Sequence, residues 1–163
     1  MLARLARFAP VSAQRLSVRA FSASAVSRGL FADYVKSVKP NVKEITPSDL
    51  YARMSADPAN GMPTSLHILD VRETYEWNEE YIPAAIYTGR GTLERDIEGV
   101  VPDPYDEVVV YCAGGVRSVL AADSLQKMGY KNVYSLAGGI SGWKKAELPV
   151  TENFSTYSER VKY

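Results

Sequence analysis

Two short stretches, Leu66–Val71 and Val108–Tyr111, are almost continuously apolar. A strand with one wet face alternates apolar and polar side chains, whereas a strand covered on both faces reads as an unbroken apolar run. Both stretches therefore belong in the middle of a sheet, and what separates them has helical periodicity. Strands alternating with helices imply a parallel sheet with helices on both sides. The same pattern recurs along the chain. Val42–Ile45 is a strand candidate. Thr46-Pro47-Ser48-Asp49 then reads as a helix start, with Thr46 as N-cap and Pro47 at the first helical position. That helix should stop near Pro58-Ala59-Asn60-Gly61. Glu73–Tyr81 suits a short helix containing Trp77, and Ala85–Tyr87 a short strand. Leu93, Ile97 and Val100 mark a helix over 92–100. Val116, Val119, Leu120, Leu125 and Met128 mark another over 116–128, closed by Gly129. Val133–Leu136 is a further strand, followed by Gly138-Gly139 and a short helix around Trp143. The expected architecture is three-layer α/β/α with a central, mostly parallel sheet over residues 42–150. Residues 31–41 read as a linker and 151–163 as a polar tail.

Charge divides the 163 residues unevenly. Lys and Arg number 19, as do Asp and Glu, yet residues 1–30 hold five arginines (Arg4, Arg7, Arg15, Arg19, Arg28) and no acid. The remaining residues hold 14 bases against 19 acids, a net of −5. An acidic body argues against nucleic-acid binding, which needs a basic face to neutralise phosphates. The first thirty residues are rich in Arg, Ala and Ser, with Leu2, Leu5 and Phe8 on one helical face, and lack the apolar core of a secretory signal. This is the composition of a mitochondrial transit peptide. Arg19-Ala20-Phe21-Ser22-Ala23-Ser24 resembles a two-step matrix processing signal, which implies a mature chain starting near Gly29 in the mitochondrial matrix. No apolar run approaches the roughly 20 residues that span a bilayer.

One Cys and one His restrict the chemistry. A single Cys cannot form an intrachain disulfide or a Cys-rich metal cluster, and no metal or cofactor is expected. The Cys is placed tellingly, in Tyr111-Cys112-Ala113-Gly114-Gly115-Val116-Arg117-Ser118. This segment leaves the carboxyl end of a buried strand and enters a helix, the end of a parallel sheet where ligands bind. Gly114 and Gly115 both permit positive φ, which turns successive N–H groups inward. Such a nest on the positive end of a helix binds an anion, and the first anion within reach is the sulfur of Cys112. A free thiol titrates at about 8.5, and helix amino termini or a nearby Arg lower such values substantially. The expectation is a thiolate nucleophile at neutral pH with no histidine as base, since the single His, His67, lies in the Leu66–Val71 strand.

Cys112-Ala113-Gly114-Gly115-Val116-Arg117-Ser118 resembles the active-site loop of the single-domain rhodaneses, the thiosulfate sulfurtransferases. Leu69-Asp70-Val71-Arg72-Glu73, Ile82-Pro83-Ala84-Ala85-Ile86 and Tyr134-Ser135-Leu136-Ala137-Gly138-Gly139-Ile140 with Trp143 resemble three further family motifs in the family's order. The resemblance runs from about Ile45 to Val150. One departure stands out: Glu80-Tyr81-Ile82-Pro83-Ala84-Ala85 occupies the place of the usual Gly-His-Ile-Pro-Gly-Ala, which implies altered local packing away from the sulfur loop. The loop spans six residues from Cys112 to Arg117, one fewer than in phosphatases of this fold, and Tyr111 stands where cysteine phosphatases commonly carry His.

The resemblance implies a persulfide carrier. Cys112 would take sulfane sulfur from a small anionic donor such as thiosulfate or glutathione persulfide. The backbone amides of Gly114, Gly115, Val116, Arg117 and Ser118 would hold it, and a thiol or cyanide would accept it. Arg117 either faces the donor or is a solvated residue of the first helical turn. Ser118 either bonds backbone groups at the helix start or is simply a favourable early-helix residue. Arg90, in Gly89-Arg90-Gly91, is a second anion contact or an exposed loop residue. Asp70 and Arg72 read as a fold-stabilising ion pair, Trp77 and Trp143 as sheet cover, and Gly138-Gly139 as the means by which the last loop approaches the sulfur cradle. A non-catalytic interaction module and a cysteine phosphatase are the alternative functions.

Overall fold

The computed structural model of the protein describes residues 29–56 and 61–152. The transit-peptide expectation and the tail beyond Glu152 lie outside the described residues; so do 58–60 of the expected helix stop at Pro58-Ala59-Asn60-Gly61, and the helix that opens at Pro47 has already ended at Met54. Five parallel strands form the central sheet in the order β1 (Lys43–Ile45), β6 (Asn132–Leu136), β5 (Glu107–Tyr111), β2 (Leu66–Asp70), β4 (Ile86–Tyr87). β2 and β5, the two apolar runs, are central neighbours, with Leu69 opposite Val110 and Asp70 opposite Tyr111. Along β5, Val108 and Val110 point to one side with Cys112, while Val109 and Tyr111 point to the other.

Each side of the sheet is covered by its own core. One joins Leu69, Val71, Val108 and Val110 to α4 (Leu93–Val100) and α5 (Val116–Met128). The other joins Ile68, Val109, Tyr111 and Leu136 to α2 (Pro47–Met54) and α6 (Gly139–Lys145), with Trp143 wholly buried. This is the three-layer arrangement expected from the pattern. α2 begins as its residues dictate: the Thr46 side chain accepts the Asp49 N–H at 3.1 Å, and Pro47 opens the first turn. α5 ends at Gly129, which takes the left-handed conformation at φ 115°.

Three local expectations are corrected. Residues 31–41 are not a linker: α1 (Leu30–Val38) and a 3-10 turn (Lys39–Asn41) run through them. Val35 and Val38 share one face of α1, and Val38 and Val42, the extended residue after the 3-10 turn, are buried beside α5. The polar tail contributes β7 (Thr151–Glu152), which pairs antiparallel with β3 (Glu80–Tyr81), the strand that follows α3 (Thr74–Glu79). On α5, Val116 and Met128 lie at the two ends of the helix and are exposed, while Val119, Ala122 and Leu125 form the buried face. Among the described residues no helix is long and apolar enough to cross a membrane.

Candidate active site

β5 delivers Cys112 to the carboxyl edge of the sheet, and α5 begins four residues later. Between them the chain turns back over the sulfur. Gly115 makes this turn at φ 92°, and its N–H donates to Cys112 Sγ at 3.2 Å. A side chain at Gly115 would be strained at that φ, and its Cβ would come within 3.2 Å of the Gly138 nitrogen. Gly114 is a correction. It is not in the positive-φ region, and a Cβ there meets nothing within 4 Å, so only one of the two loop glycines is required by backbone geometry. The amides of Val116, Arg117 and Ser118 open α5, where no earlier turn of helix supplies carbonyls to receive them. The positive end of the helix therefore starts at Gly115, the residue whose own N–H meets the sulfur.

The loop is held from behind by the segment after β6. Ile140 N–H donates to the Cys112 carbonyl at 2.9 Å, and Ser141 N–H to the Ala113 carbonyl at 3.0 Å. This approach is possible only because residue 139 lacks a side chain: a Cβ on Gly139 would lie 2.2 Å from the Cys112 carbonyl oxygen. Gly138-Gly139 therefore does bring the last loop against the cradle. Beneath it, Asp70 and Arg72 form the expected ion pair. Arg72 donates through Nε and Nη2 to both Asp70 oxygens at 2.7–3.0 Å, and through Nη2 to the Glu80 carbonyl, with both residues buried. Burial, and then Asp70, push the Tyr111 phenol far above its ordinary value, so it is neutral; it accepts the Ile82 N–H.

Cys112 is 1% exposed, at the floor of the loop. Its thiol lies 3.7 Å from Ser118 Oγ. The Ser118 hydroxyl also donates to the Gly115 carbonyl at 3.1 Å, so it does bond the helix start, and it lies 2.8 Å from Ser135 Oγ. Arg117 is half-buried, and its guanidinium grips Glu76 of α3 end-on, Nη1 and Nη2 donating to the two carboxylate oxygens at 2.8 and 2.9 Å, with Glu73 at 3.8 Å. The bond from Arg117 holds the Glu76 carboxyl below its ordinary range, and Glu76 in turn raises Arg117, with a further contribution from the nearby Cys112. Arg117 thus ties the first turn of α5 to α3 and keeps a cation near the sulfur.

Of the residues expected around the sulfur, Gly115 and Ser118 are brought into direct contact with it, and Ala113, Gly114, Val116 and Arg117 belong to the same strand-to-helix segment. Arg90 joins neither group. Its Nη1 donates to Glu94 at 2.7 and 3.0 Å and its Nη2 to Ser124 at 3.3 Å, which bind α4 to the middle of α5. Trp77 covers only the edge of the sheet: its ring lies 5.5 Å from that of Tyr87 in β4 and stacks on Tyr81 with ring centres 4.1 Å apart. Two site residues escaped the sequence reading. Glu76 was signalled only as the fourth residue of a capping box that starts at Glu73. Ser135 was signalled only as a polar residue in a buried strand.

Residues 46–146 match the family model of the rhodanese-like domain. Over 77 residues the chain is 38% identical to the thiosulfate sulfurtransferase GlpE of Coxiella burnetii, spanning 47% of this chain and 70% of that protein. It is 34% identical to the YrkF protein of Bacillus subtilis over 79 residues, but spans only 42% of that longer protein's length. Among solved structures it is similar to a Rhodopseudomonas palustris protein of unknown function described as a possible tyrosine phosphatase. The TM-score is 0.67 and the identity 28%, covering 77% of this chain and 96% of that one.

Proposed function

Because the chain belongs to the rhodanese-like domain family, we propose that it is a sulfurtransferase that carries sulfane sulfur on Cys112. One observation supports this most: the sulfur of Cys112 receives the Gly115 N–H at 3.2 Å beside the opening amides of α5. Donors so arranged stabilise a thiolate and then the negative end of a persulfide without a basic side chain. The Cys112 thiolate attacks the outer sulfur of thiosulfate or of glutathione persulfide. The new S–S bond forms as the bond to sulfite or to the glutathione thiolate breaks, and the departing group takes the electron pair. A thiol or cyanide then attacks the terminal sulfur, and Cys112 leaves as thiolate. Splitting the transfer into two displacements is the logic of covalent catalysis. The chain has no second Cys, so the acceptor comes from outside it. Arg117 shapes the loop through Glu76 while contributing positive charge to the donor's approach.

Cys112→Ser should abolish transfer from thiosulfate to cyanide. Retention of most of the activity would refute the assignment. Hydrolysis of a chromogenic phosphate ester by the parent chain, lost in the same variant, would instead support the phosphatase reading, which the six-residue loop disfavours. An inert protein would fit an interaction module. We further propose that residues 1–30 direct the chain to the mitochondrial matrix; a fusion of residues 1–35 to a fluorescent reporter that stays cytosolic would remove this idea.

A further inference from the structure

Along β6 the side chains alternate between the two cores. Tyr134 and Leu136 face α6, and Val133 faces α5. The next position on the α5 side is 135, where packing alone calls for another apolar residue. Ser135 stands there, fully buried. Burying a hydroxyl is unfavourable unless it is hydrogen-bonded, and among the described residues the Ser135 hydroxyl has one partner, Ser118 Oγ at 2.8 Å.

Either hydroxyl could be the donor of that bond, and a count of protons favours Ser135. Ser135 has one hydrogen and one neighbour able to accept it, so it donates to Ser118. Ser118 also has one hydrogen, but two other neighbours: the Gly115 carbonyl at 3.1 Å and Cys112 Sγ at 3.7 Å. While Cys112 is a thiol, Ser118 accepts from it and donates to Gly115. Once the sulfur is an anion it becomes the stronger acceptor, and the Ser118 hydroxyl can turn to it, because Ser135 does not claim that proton. The bond from Ser135 also polarises the Ser118 O–H, as successive hydrogen bonds do in a water-poor interior. If Ser135 accepted instead, its own hydrogen would be stranded and the Ser118 proton unavailable to sulfur.

We propose that Ser135 is a positioning residue of the sulfur site, whose hydroxyl, donated to Ser118, polarises the Ser118 O–H that turns to the anionic sulfur of Cys112. Its place in catalysis rests on the sulfur-carrier function above; its effect on the thiolate does not. The charge near the sulfur is that of Arg117, held by Glu76 and Glu73, and none of the substitutions below alters it.

The test is the rate at which iodoacetamide alkylates Cys112, measured at neutral pH and at a pH high enough to ionise any thiol. Ser135→Ala should slow the neutral reaction about threefold, the scale of one weakened bond to an anion, and leave the alkaline rate unchanged. Ser135→Thr, which keeps the hydroxyl, should restore the neutral rate. Ser118→Ala should slow it at least as much, and Ser118→Ala combined with Ser135→Ala should be no slower than Ser118→Ala alone, since Ser135 acts only through Ser118. Equal neutral rates in Ser135→Ala and the parent would overturn the proposal and leave Ser135 a simple tie between β6 and α5. So would additive losses in the double variant, or a loss that Ser135→Thr does not repair. If the parent takes up no sulfur from thiosulfate while these rates behave as stated, the carrier function fails and the role of Ser135 toward the thiolate stands.

Discussion

Replacing Gly139 with Ala tests whether the sulfur loop is held in place by backbone contact alone. Gly139 sits at φ 56°, and its new Cβ would lie 2.2 Å from the Cys112 carbonyl oxygen and 2.7 Å from that of Ala113. Both are main-chain atoms, so no rotamer change relieves the overlap; the two segments must separate. Separation breaks the bonds from Ile140 N–H to Cys112 and from Ser141 N–H to Ala113, each worth about 1 kcal/mol. An alanine held in the left-handed region adds about 1–2 kcal/mol. The stiffer unfolded chain of the variant returns about 0.4–1 kcal/mol. The net loss is about 2–4 kcal/mol, a large part of the 5–15 kcal/mol typical of a domain but small enough to leave it folded. Urea titration followed by the fluorescence of buried Trp143 measures it. Gly114→Ala is the control: that glycine is not at positive φ and its Cβ meets nothing within 4 Å, so its cost should stay within about 0.5 kcal/mol. If the two substitutions cost the same, the contact between the β6–α6 segment and the cradle does not hold the loop.

The opposite exchange should stabilise the protein at Ala84, an exposed residue at φ 61° in the turn between Ile82 and Ile86. Ala84→Gly removes about 1–2 kcal/mol of left-handed strain against about 0.4–1 kcal/mol of added chain entropy, so Tm should rise; a fall would contradict the assignment of strain there. Glu76→Gln addresses the pairing with Arg117. Because that pairing lowers the Glu76 carboxyl in the folded state, its stabilisation is fully present above the ordinary carboxylate range and disappears as pH falls through the folded value. The variant should therefore be less stable than the parent at neutral pH, with the gap closing in acid. A gap independent of pH would show that the charge pairing contributes nothing.

The central sheet was legible because a parallel strand buried on both faces has no room for polar alternation, and Leu66–Val71 and Val108–Tyr111 show none. The sulfur loop was legible for a related reason: Cys, Gly and Arg crowd into one strand-to-helix turn. What could not be read depends on contacts distant in sequence. Gly114 and Gly115 look equivalent in the chain, yet only Gly115 meets Gly138. Arg117 finds its carboxylate 41 positions away, so the choice between a donor contact and a solvated cation was not written in local spacing. α1 was overlooked because Phe31, Tyr34 and Pro40 obscure only three valines, Val35, Val38 and Val42, and their burial depends on α5. β3 and β7 have two residues each, too few for any periodic signal, and exist because they pair with one another.

The central claim is that Cys112 carries a sulfur atom between donor and acceptor. The direct measurement is the intact mass of the protein after incubation with thiosulfate and removal of excess reagent. A gain of about 32 Da, one sulfur, that is absent in Cys112→Ser and reversed by cyanide is the predicted result. An unchanged mass under conditions where the Cys112 thiol still alkylates freely would contradict it.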